Sequence, residues 1–345
     1  MVNYNGERYL PESLGSVYSQ KDRFKEILLI DNASEDRSLE IVRTRFPDVK
    51  ITCLDRNRGP GRARNVALRA ATCDLILFVD NDVSLASDCP DRLLEALTAH
   101  PHASVAMARV LYAQKRDVIQ YDGAETHFLG HMSLNHSNLS LRGAPRETRE
   151  IGSVVTACFL MNRTKWRGAD PFDEAFFFCY EDHDFGVRTR VFGHKILSVP
   201  SACCYQREGT EGLSLRYNGR YSKQRVRQLI RNRWHLILKN YDFRTMVFLS
   251  PILFAYEVFQ IMGVIKKGWF REWFAAFSWI VVHFPGILEK RRIVQKERKT
   301  PDREILSDGP LPFTELLTAS PLERAAKNLF DSLAGVYWKN VERFI

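Results

Sequence analysis

The chain is poor in anything that would staple it or export it. Seven cysteines occur among 345 residues, only Cys203 and Cys204 are adjacent, and no C-x-x-C or Cys/His zinc spacing is present. A disulfide scaffold and a zinc ribbon are therefore excluded, and the thiols are expected reduced and mostly buried, in a cytosolic setting. The first residues are polar and lack the apolar run of a signal peptide, so none is expected. No Ser-His-Asp or Cys-His set is legible, which leaves nucleophilic catalysis without candidates. RNA-binding signatures are missing as well, so only charge speaks for nucleic acid, and no nucleic-acid partner is expected.

The composition is that of a globular protein, 45% hydrophobic and 26% charged, long enough for one large domain with an appendage or for two domains. A formal charge of +9 and a pI near 9.2 point to an anionic partner: phosphate, lipid headgroup or nucleic acid.

Leu75-Ile76-Leu77-Phe78-Val79 reads as a fully buried strand that stops at Asp80-Asn81-Asp82. In open parallel sheets the carboxyl ends of strands face the ligand crevice, and residues two apart point the same way. One divalent cation can therefore meet Asp80 and Asp82 together. A plain Asx turn accounts for the same residues, and the segment alone leaves both readings open.

Around this stretch the pattern alternates. Met1 to Gly6 looks like a strand end running into a turn, and Tyr9 to Gln20 has helical apolar spacing. Glu26 to Ile30 is a short buried strand ending at Asp31-Asn32, with Asn32 or Ser34 able to cap the helix that follows. Val49 to Leu54 is a third strand, and Pro60 to Ala71 and Asp91 to Ala99 are helices. Such alternation implies α/β architecture, a mostly parallel sheet with helices on both faces. Val105 to Tyr112 is a longer β run, and the polar stretch Leu129 to Arg149 reads as an insertion or mobile loop.

A second acidic cluster, Glu181-Asp182-His183-Asp184, opens a helix beside Phe176, Phe177, Phe178 and Tyr180. Acids favour a helix N-terminus for dipole reasons alone. Desolvation by the rings would also raise a carboxylate's proton affinity and suit it to act as a base. From Leu213 to Lys239 basic residues occur without an acid; Arg216, Arg220, Lys223, Arg227 and Arg231 recur at helical spacing. A solvated surface is the ordinary reading, and the density favours phosphate contact.

Thr245 to Ile265 is about the length of a bilayer span but contains Pro251 and Glu257, and the shorter run Trp273 to Leu288 is broken by His283 and Pro285. With Lys290-Arg291-Arg292, Lys296, Arg298 and Lys299 behind them, both read as interfacial helices; a hairpin through the bilayer and plain core packing stay open. After Pro301 come a polar linker and an amphipathic helix from Leu322 to Trp338 whose role is not legible.

Taken in order, V-N-Y-N-G at Val2 to Gly6, D-N-A-S-E-D at Asp31 to Asp36, N-R-G-P-G-R-A-R-N at Asn57 to Asn65, F-V-D-N-D-V at Phe78 to Val83, A-C-F-L-M-N-R at Ala157 to Arg163 and Y-E-D-H-D-F-G-V-R at Tyr180 to Arg188 form one series. The series resembles family 2 glycosyltransferases of the GT-A (Rossmann-like) fold, especially the rhamnosyltransferase-like bacterial group that extends cell-surface polysaccharides.

The resemblance covers about the first 240 residues and implies a GT-A domain over 1–240; the residue pattern adds apolar and basic membrane-interfacial helices over 241–300 and a linker with an amphipathic helix over 301–345. The resemblance further implies that Tyr4, Asn5, Glu7 and Asp31 line the nucleotide pocket. Asn57, Gly59 and Arg64 would border the same pocket, the glycine for close backbone approach and the arginine for phosphate. Asp80 and Asp82 would hold Mg²⁺ or Mn²⁺ on the diphosphate. Asp182 stands at the position of the general base, with Glu181 beside it shaping the acceptor site.

The implied reaction is inverting transfer from a UDP-, dTDP- or GDP-sugar to a glycan or lipid-linked acceptor on the cytoplasmic face of the membrane. Two departures mark the chain. Relatives carry several more residues before V-N-Y-N-G, so the first strand is expected shortened, and Gln206 stands where many relatives place a metal-binding histidine. Both favour the competing expectation, a catalytically silent, nucleotide-binding or scaffolding member of a polysaccharide assembly complex.

Overall fold

The structure is a computed structural model that describes residues 1–166, 170–207, 222–313, 318 and 320–345. In chain order come β1 (Val2–Asn3), α1 (Leu10–Tyr18), β2 (Leu28–Asp31), α2 (Ser38–Arg45), β3 (Lys50–Cys53), α3 (Gly59–Ala70), β4 (Leu75–Val79), β5 (Val83–Leu85) and α4 (Cys89–Ala99). Then follow β6 (Ala103–Tyr112), β7 (Lys115–Tyr121), β8 (Ala124–His127), β9 (Met132–Leu134), β10 (Arg149–Ile151), β11 (Cys158–Asn162), α5 (Glu181–Val191) and β12 (Lys195–Gln206). The last described elements are α6 (Lys223–Asn240), α7 (Phe243–Lys266), α8 (Phe270–Glu297), β13 (Leu306–Ser307) and α9 (Pro321–Val341).

The chain forms two compact units, the first made of Met1–Ala124, Leu134–Gly186 and His194–Tyr217. In it β1, β2 and β3 run parallel, as the alternating pattern predicts, and Val2 bridges Asp80 in parallel. The larger sheet, ordered β10-β12-β6-β11-β4, is mixed: β11 runs antiparallel to both β4 and β6, while β12 is parallel to β6. The core lies on this sheet, where Phe78 stacks on Phe159 at 4.7 Å between centroids and Phe185 packs against Phe159 and Phe172. Those rings fix β4, β11 and α5, and the acids stand at the end of the first and the start of the last.

Two sequence expectations change here. β4 is buried only at its carboxyl end; Leu75 is 38% exposed, because this half of the strand pairs with β11 alone. The stretch Leu129 to Arg149 contains β9 and the start of β10, and within the first unit it is pinned by charge. Buried Asp122 accepts from Arg109 (2.7 Å) and Arg149 (2.7 Å) and pairs with His136 (2.8 Å), an arrangement that ordered polar side chains can satisfy without apolar periodicity.

The second unit comprises Glu125–Ser133, Val187–Gly193 and Asn218–Ile345. The sequence division at 240/241 thus falls inside one unit: Val226 and Ile230 of α6 share a buried cluster with Val264 and Ala276, which ties α6 to the later helices. Phe259 stacks on Phe330 (5.1 Å) and Phe128 on Trp338 (4.8 Å), so α9 is packed, and β13 pairs parallel with β8.

The basic stripe does not stay on the surface. Arg216 and Arg220 lie outside the described residues; Lys223 and Arg227 are exposed; Arg231 is buried over the Trp279 ring at 4.4 Å. Arg233, wholly buried, meets Glu257 at 2.5 Å and covers the Tyr256 ring at 4.3 Å. The carboxylate that interrupts the apolar run of α7 is therefore neutralised inside the unit.

Of the cysteines, all free, Cys89, Cys158 and Cys204 are buried, Cys73, Cys179 and Cys203 half-buried, and Cys53 exposed.

Candidate functional site

The site is built in the first unit where β1, β2 and β4 end. The glycine-containing V-N-Y-N-G turn is held by the D-N-A-S-E-D loop through alternating backbone and side-chain bonds. Asn5 and Gly6 donate their N–H groups to Ser34 Oγ and Ser38 Oγ (both 2.9 Å), Glu7 N–H donates to Asp36 (2.8 Å), and Glu35 N–H donates back to Asn5 Oδ1 (2.9 Å). Glu7 in turn accepts from Arg37 N–H at 3.0 Å. Asp31 is 1% exposed and accepts from Asn3 (2.8 Å) and Ser34 (2.7 Å), so it acts on the wall through those two side chains.

Asn81, the middle residue between the two acids, donates to Asn3 Oδ1 at 2.9 Å, and Ser13 Oγ donates to the Asn81 carbonyl at 2.6 Å. A Cβ at Gly6 would lie 2.2 Å from Asn3 Oδ1, so only glycine leaves this bond intact. Tyr4 is half-buried beside it, its carbonyl 3.5 Å from the Asn81 amide. Sequence reasoning missed Asn3 and Asn81; the signal was an amide on each of two adjacent strand ends.

α3 supplies the opposite support. Asn57 accepts from Asn32 and from the Gly59 N–H, both at 2.9 Å. Gly59 has φ +82°, and a Cβ there would meet the Phe177 carbonyl oxygen at 2.1 Å. The close approach it permits is thus to the chain's own backbone, where the sequence reading had assigned it to the nucleotide. Asn65 clamps Phe172 in both directions (2.8 and 3.1 Å), and Arg62 grips Glu174 at 2.9 Å. This fixes the segment before α5, where Phe177, Cys179 and Tyr180 all have φ between 56° and 71°. Left-handed non-glycine residues cost about 1–3 kcal/mol each and persist where the surroundings hold them. Here they aim the first turn of α5.

Arg64 is the centre. Its guanidinium, 2% exposed, donates to Asp80 Oδ1 at 2.8 Å and lies 3.6 Å from Glu181 Oε1, over the Phe172 ring. The resemblance gives this arginine to phosphate; here its guanidinium is held by the chain's own Asp80, with the Glu181 carboxyl beside it. Asp80 and Glu181, from the fourth and the last segments of the motif series, thus share one guanidinium. Asp182 is half-buried next to Glu181, and its side chain accepts from the His183 N–H at 2.7 Å.

Burial raises both acids, Glu181 to about 8, with Asp182 adding to the rise and Arg64 opposing it, and Asp182 to about 6. Near neutral pH Glu181 therefore carries a proton and Asp182 a charge. A carboxyl raised in the folded state stabilises fully below its unfolded pKa of about 4.3, and that stability is lost as pH rises through the folded value. Glu181→Gln is accordingly expected to flatten the fall in unfolding free energy between pH 5 and 8. It should exceed the parent's stability at pH 8 in urea titrations. An unchanged slope would remove Glu181 from this role.

Asp80 is half-buried with one oxygen on Arg64; Asp82 is buried and accepts from the Gln206 amide at 3.2 Å. Among the described residues no group of three or more His, Cys, Asp or Glu side chains is arranged to hold a metal. Two carboxylates supply hard oxygen donors that suit a divalent cation such as Mg²⁺ or Mn²⁺.

Residues 1–167 match the sequence profile described as glycosyl transferase family 2. An uncharacterized glycosyltransferase of Haemophilus influenzae is 38% identical over 91 residues, which are 26% of this chain and 36% of that protein. The chain thus spans about a third of that relative's length. The amylovoran biosynthesis glycosyltransferase AmsE of Erwinia amylovora is 24% identical over 271 residues, 74% of this chain and 95% of the relative. Among solved structures, GalNAc-T7 with UDP, GalNAc and Mn²⁺ superposes with a TM-score of 0.56 at 16% identity, covering 74% of this chain and 50% of that one. Residues 1–167 thus carry the sequence pattern of glycosyl transferase family 2, and the chain has the GT-A fold of the solved structure it superposes on.

Proposed function

We propose that the chain transfers a sugar, with inversion, from a nucleotide-sugar donor to a glycan or lipid-linked acceptor in cell-surface polysaccharide synthesis. The observation that carries this reading is Arg64, one buried guanidinium between Asp80 of the strand-end acids and Glu181 beside Asp182. It brings one acid of each cluster to a single side chain, which supports the two clusters acting together.

Asp80 and Asp82 would hold Mg²⁺ or Mn²⁺, which when bound neutralises charge on the departing diphosphate. The loops carrying Tyr4, Asn5, Glu7, Asp31, Asn57 and Gly59 form the nucleotide side of the pocket. The acceptor hydroxyl attacks the anomeric carbon from the face opposite the diphosphate. As its oxygen bonds to that carbon, the carbon–oxygen bond to phosphate breaks, and its electron pair leaves with the nucleoside diphosphate. The hydroxyl proton passes to the Asp182 carboxylate. Glu181, protonated, can donate a hydrogen bond to the acceptor without adding negative charge.

The name of one relative, an amylovoran biosynthesis glycosyltransferase, supports the substrate class, and both names support sugar transfer. A panel of UDP-, dTDP- and GDP-sugars incubated with Mn²⁺ tests the reading: one donor should be hydrolysed or transferred, and chelation should stop it. Nucleotide binding with no turnover of any donor would favour the silent scaffold instead.

The second unit supports residence at the membrane surface. α7 is the described helix that by length and composition suffices to cross a bilayer, yet only 28% of its apolar window is buried. Phe254 and Val281 are each 72% exposed and Leu322 is 77% exposed, on α7, α8 and α9, while Lys266, Lys267 and Arg271 gather where α7 passes to α8. With Glu257 turned inward, such faces suit an interfacial position on anionic lipid. Phe254→Glu with Val281→Glu is expected to lower binding to phosphatidylglycerol-containing vesicles at least about tenfold in flotation assays, since each aromatic or aliphatic side chain buried contributes about 1.5–3 kcal/mol. Undiminished flotation would remove the membrane from the account.

A further inference from the structure

The site contains one polar relay that the reaction above does not use. Antiparallel pairing of β12 with β5 sets Gln206 opposite Val83, next to Asp82, and the Arg207 N–H donates to the Asp82 carbonyl at 3.0 Å. Gln206 is 5% exposed, and its Nε2 lies 3.2 Å from both Asp82 carboxylate oxygens. Its Oε1 accepts from the Tyr121 hydroxyl at 2.6 Å and from the Gln120 amide at 3.2 Å. Asp82 sets the orientation: a carboxylate only accepts, so it demands the amide nitrogen, and the Oε1 turned away from it is met by the Tyr121 hydroxyl and the Gln120 amide.

We propose that Gln206 is a positioning residue for Asp82, locked by Tyr121 and Gln120 so that it presents N–H, and never its carbonyl oxygen, toward the cation site. The inference rests on the reading of Asp82 as a metal-holding acid. Two consequences follow from the chemistry. The protein's donors to the ion are carboxylate oxygens alone, so the site discriminates weakly between Mg²⁺ and Mn²⁺. The aim of the Asp82 carboxylate depends on a hydrogen bond behind it, as ligand orientation generally does in metal sites.

Mn²⁺ alone, titrated into the full-length protein and followed by electron paramagnetic resonance with Mg²⁺ as competitor, tests this on the parent, Asp82→Ala, Gln206→Leu, Gln206→His and Tyr121→Phe. Thermal unfolding of each variant checks folding. Gln206→Leu should weaken Mn²⁺ binding about tenfold or more. Gln206→His introduces a ring nitrogen and should shift preference toward Mn²⁺ over Mg²⁺ by a similar factor, with a changed Mn²⁺ spectrum. Tyr121→Phe releases one side of the lock and should move the Mn²⁺ affinity several-fold with the active-site acids untouched. If Asp82→Ala loses Mn²⁺ while Gln206→Leu and Tyr121→Phe bind it like the parent, the positioning role is wrong and the metal reading survives. If Asp82→Ala binds Mn²⁺ like the parent, the metal reading itself fails.

Discussion

Asp182→Asn is expected to lower turnover by about 10²–10⁴-fold, the range contributed by a positioned general base, while nucleotide binding stays at the parent's level. The amide keeps the volume of the side chain and an oxygen to accept the His183 N–H, so the first turn of α5 is retained. What it loses is the capacity to take the acceptor proton. In the parent, the rate should rise with pH through about 6 as Asp182 ionises, and this limb should vanish in the variant. Steady-state kinetics over pH 5 to 8 would decide it, and parent-like turnover would assign the base elsewhere.

Arg64→Met is expected to cost about 3–5 kcal/mol of stability, the usual penalty for removing one partner from a buried ion cluster. Methionine fills much of the volume against Phe172 but leaves Asp80 and Glu181 without the cation between them. The surviving acids should hold their protons more tightly, since Arg64 lowers the pKa of both Glu181 and Asp182. The alkaline shift of the rate limb assigned to Asp182 is the second readout, and it separates an electrostatic role from simple packing. Arg64→Lys should recover part of the charge effect and less of the stability, because an ammonium cannot reach both carboxylates as a planar fork does. Equal unfolding free energies for parent and Arg64→Met would contradict the central place given to this residue.

Much of the site was legible because strand ends and helix starts leave marks in a sequence. Asp80 and Asp82 follow an apolar run, Glu181 and Asp182 open a helix after a row of aromatics, and both clusters stand in the structure near Arg64. Partners were not legible. Periodicity tells which side of α3 is buried but not that Arg64 meets acids of its own chain, and a glycine pattern does not reveal that Gly59 makes room for the Phe177 carbonyl. The antiparallel course of β11 was hidden because its apolar run suits either direction. The ordered segment around His136 and Arg149 was hidden because charge, with no apolar period, pins it to Asp122. In the second unit the spacing of basic residues on α6 suggested a surface stripe, whereas Arg231 and Arg233 go inward to aromatic rings and Glu257. Long cationic side chains can do either, and only the packed partner decides.

The most direct test of the whole account is calorimetric binding of UDP, dTDP and GDP with and without Mn²⁺, on the parent and on Asp82→Ala. The account predicts that at least one nucleotide binds the parent, that Mn²⁺ strengthens that binding about tenfold or more, and that Asp82→Ala abolishes the Mn²⁺ effect while remaining folded. Nucleotide binding that ignores Mn²⁺ in the parent, or an undiminished Mn²⁺ effect in Asp82→Ala, would contradict it.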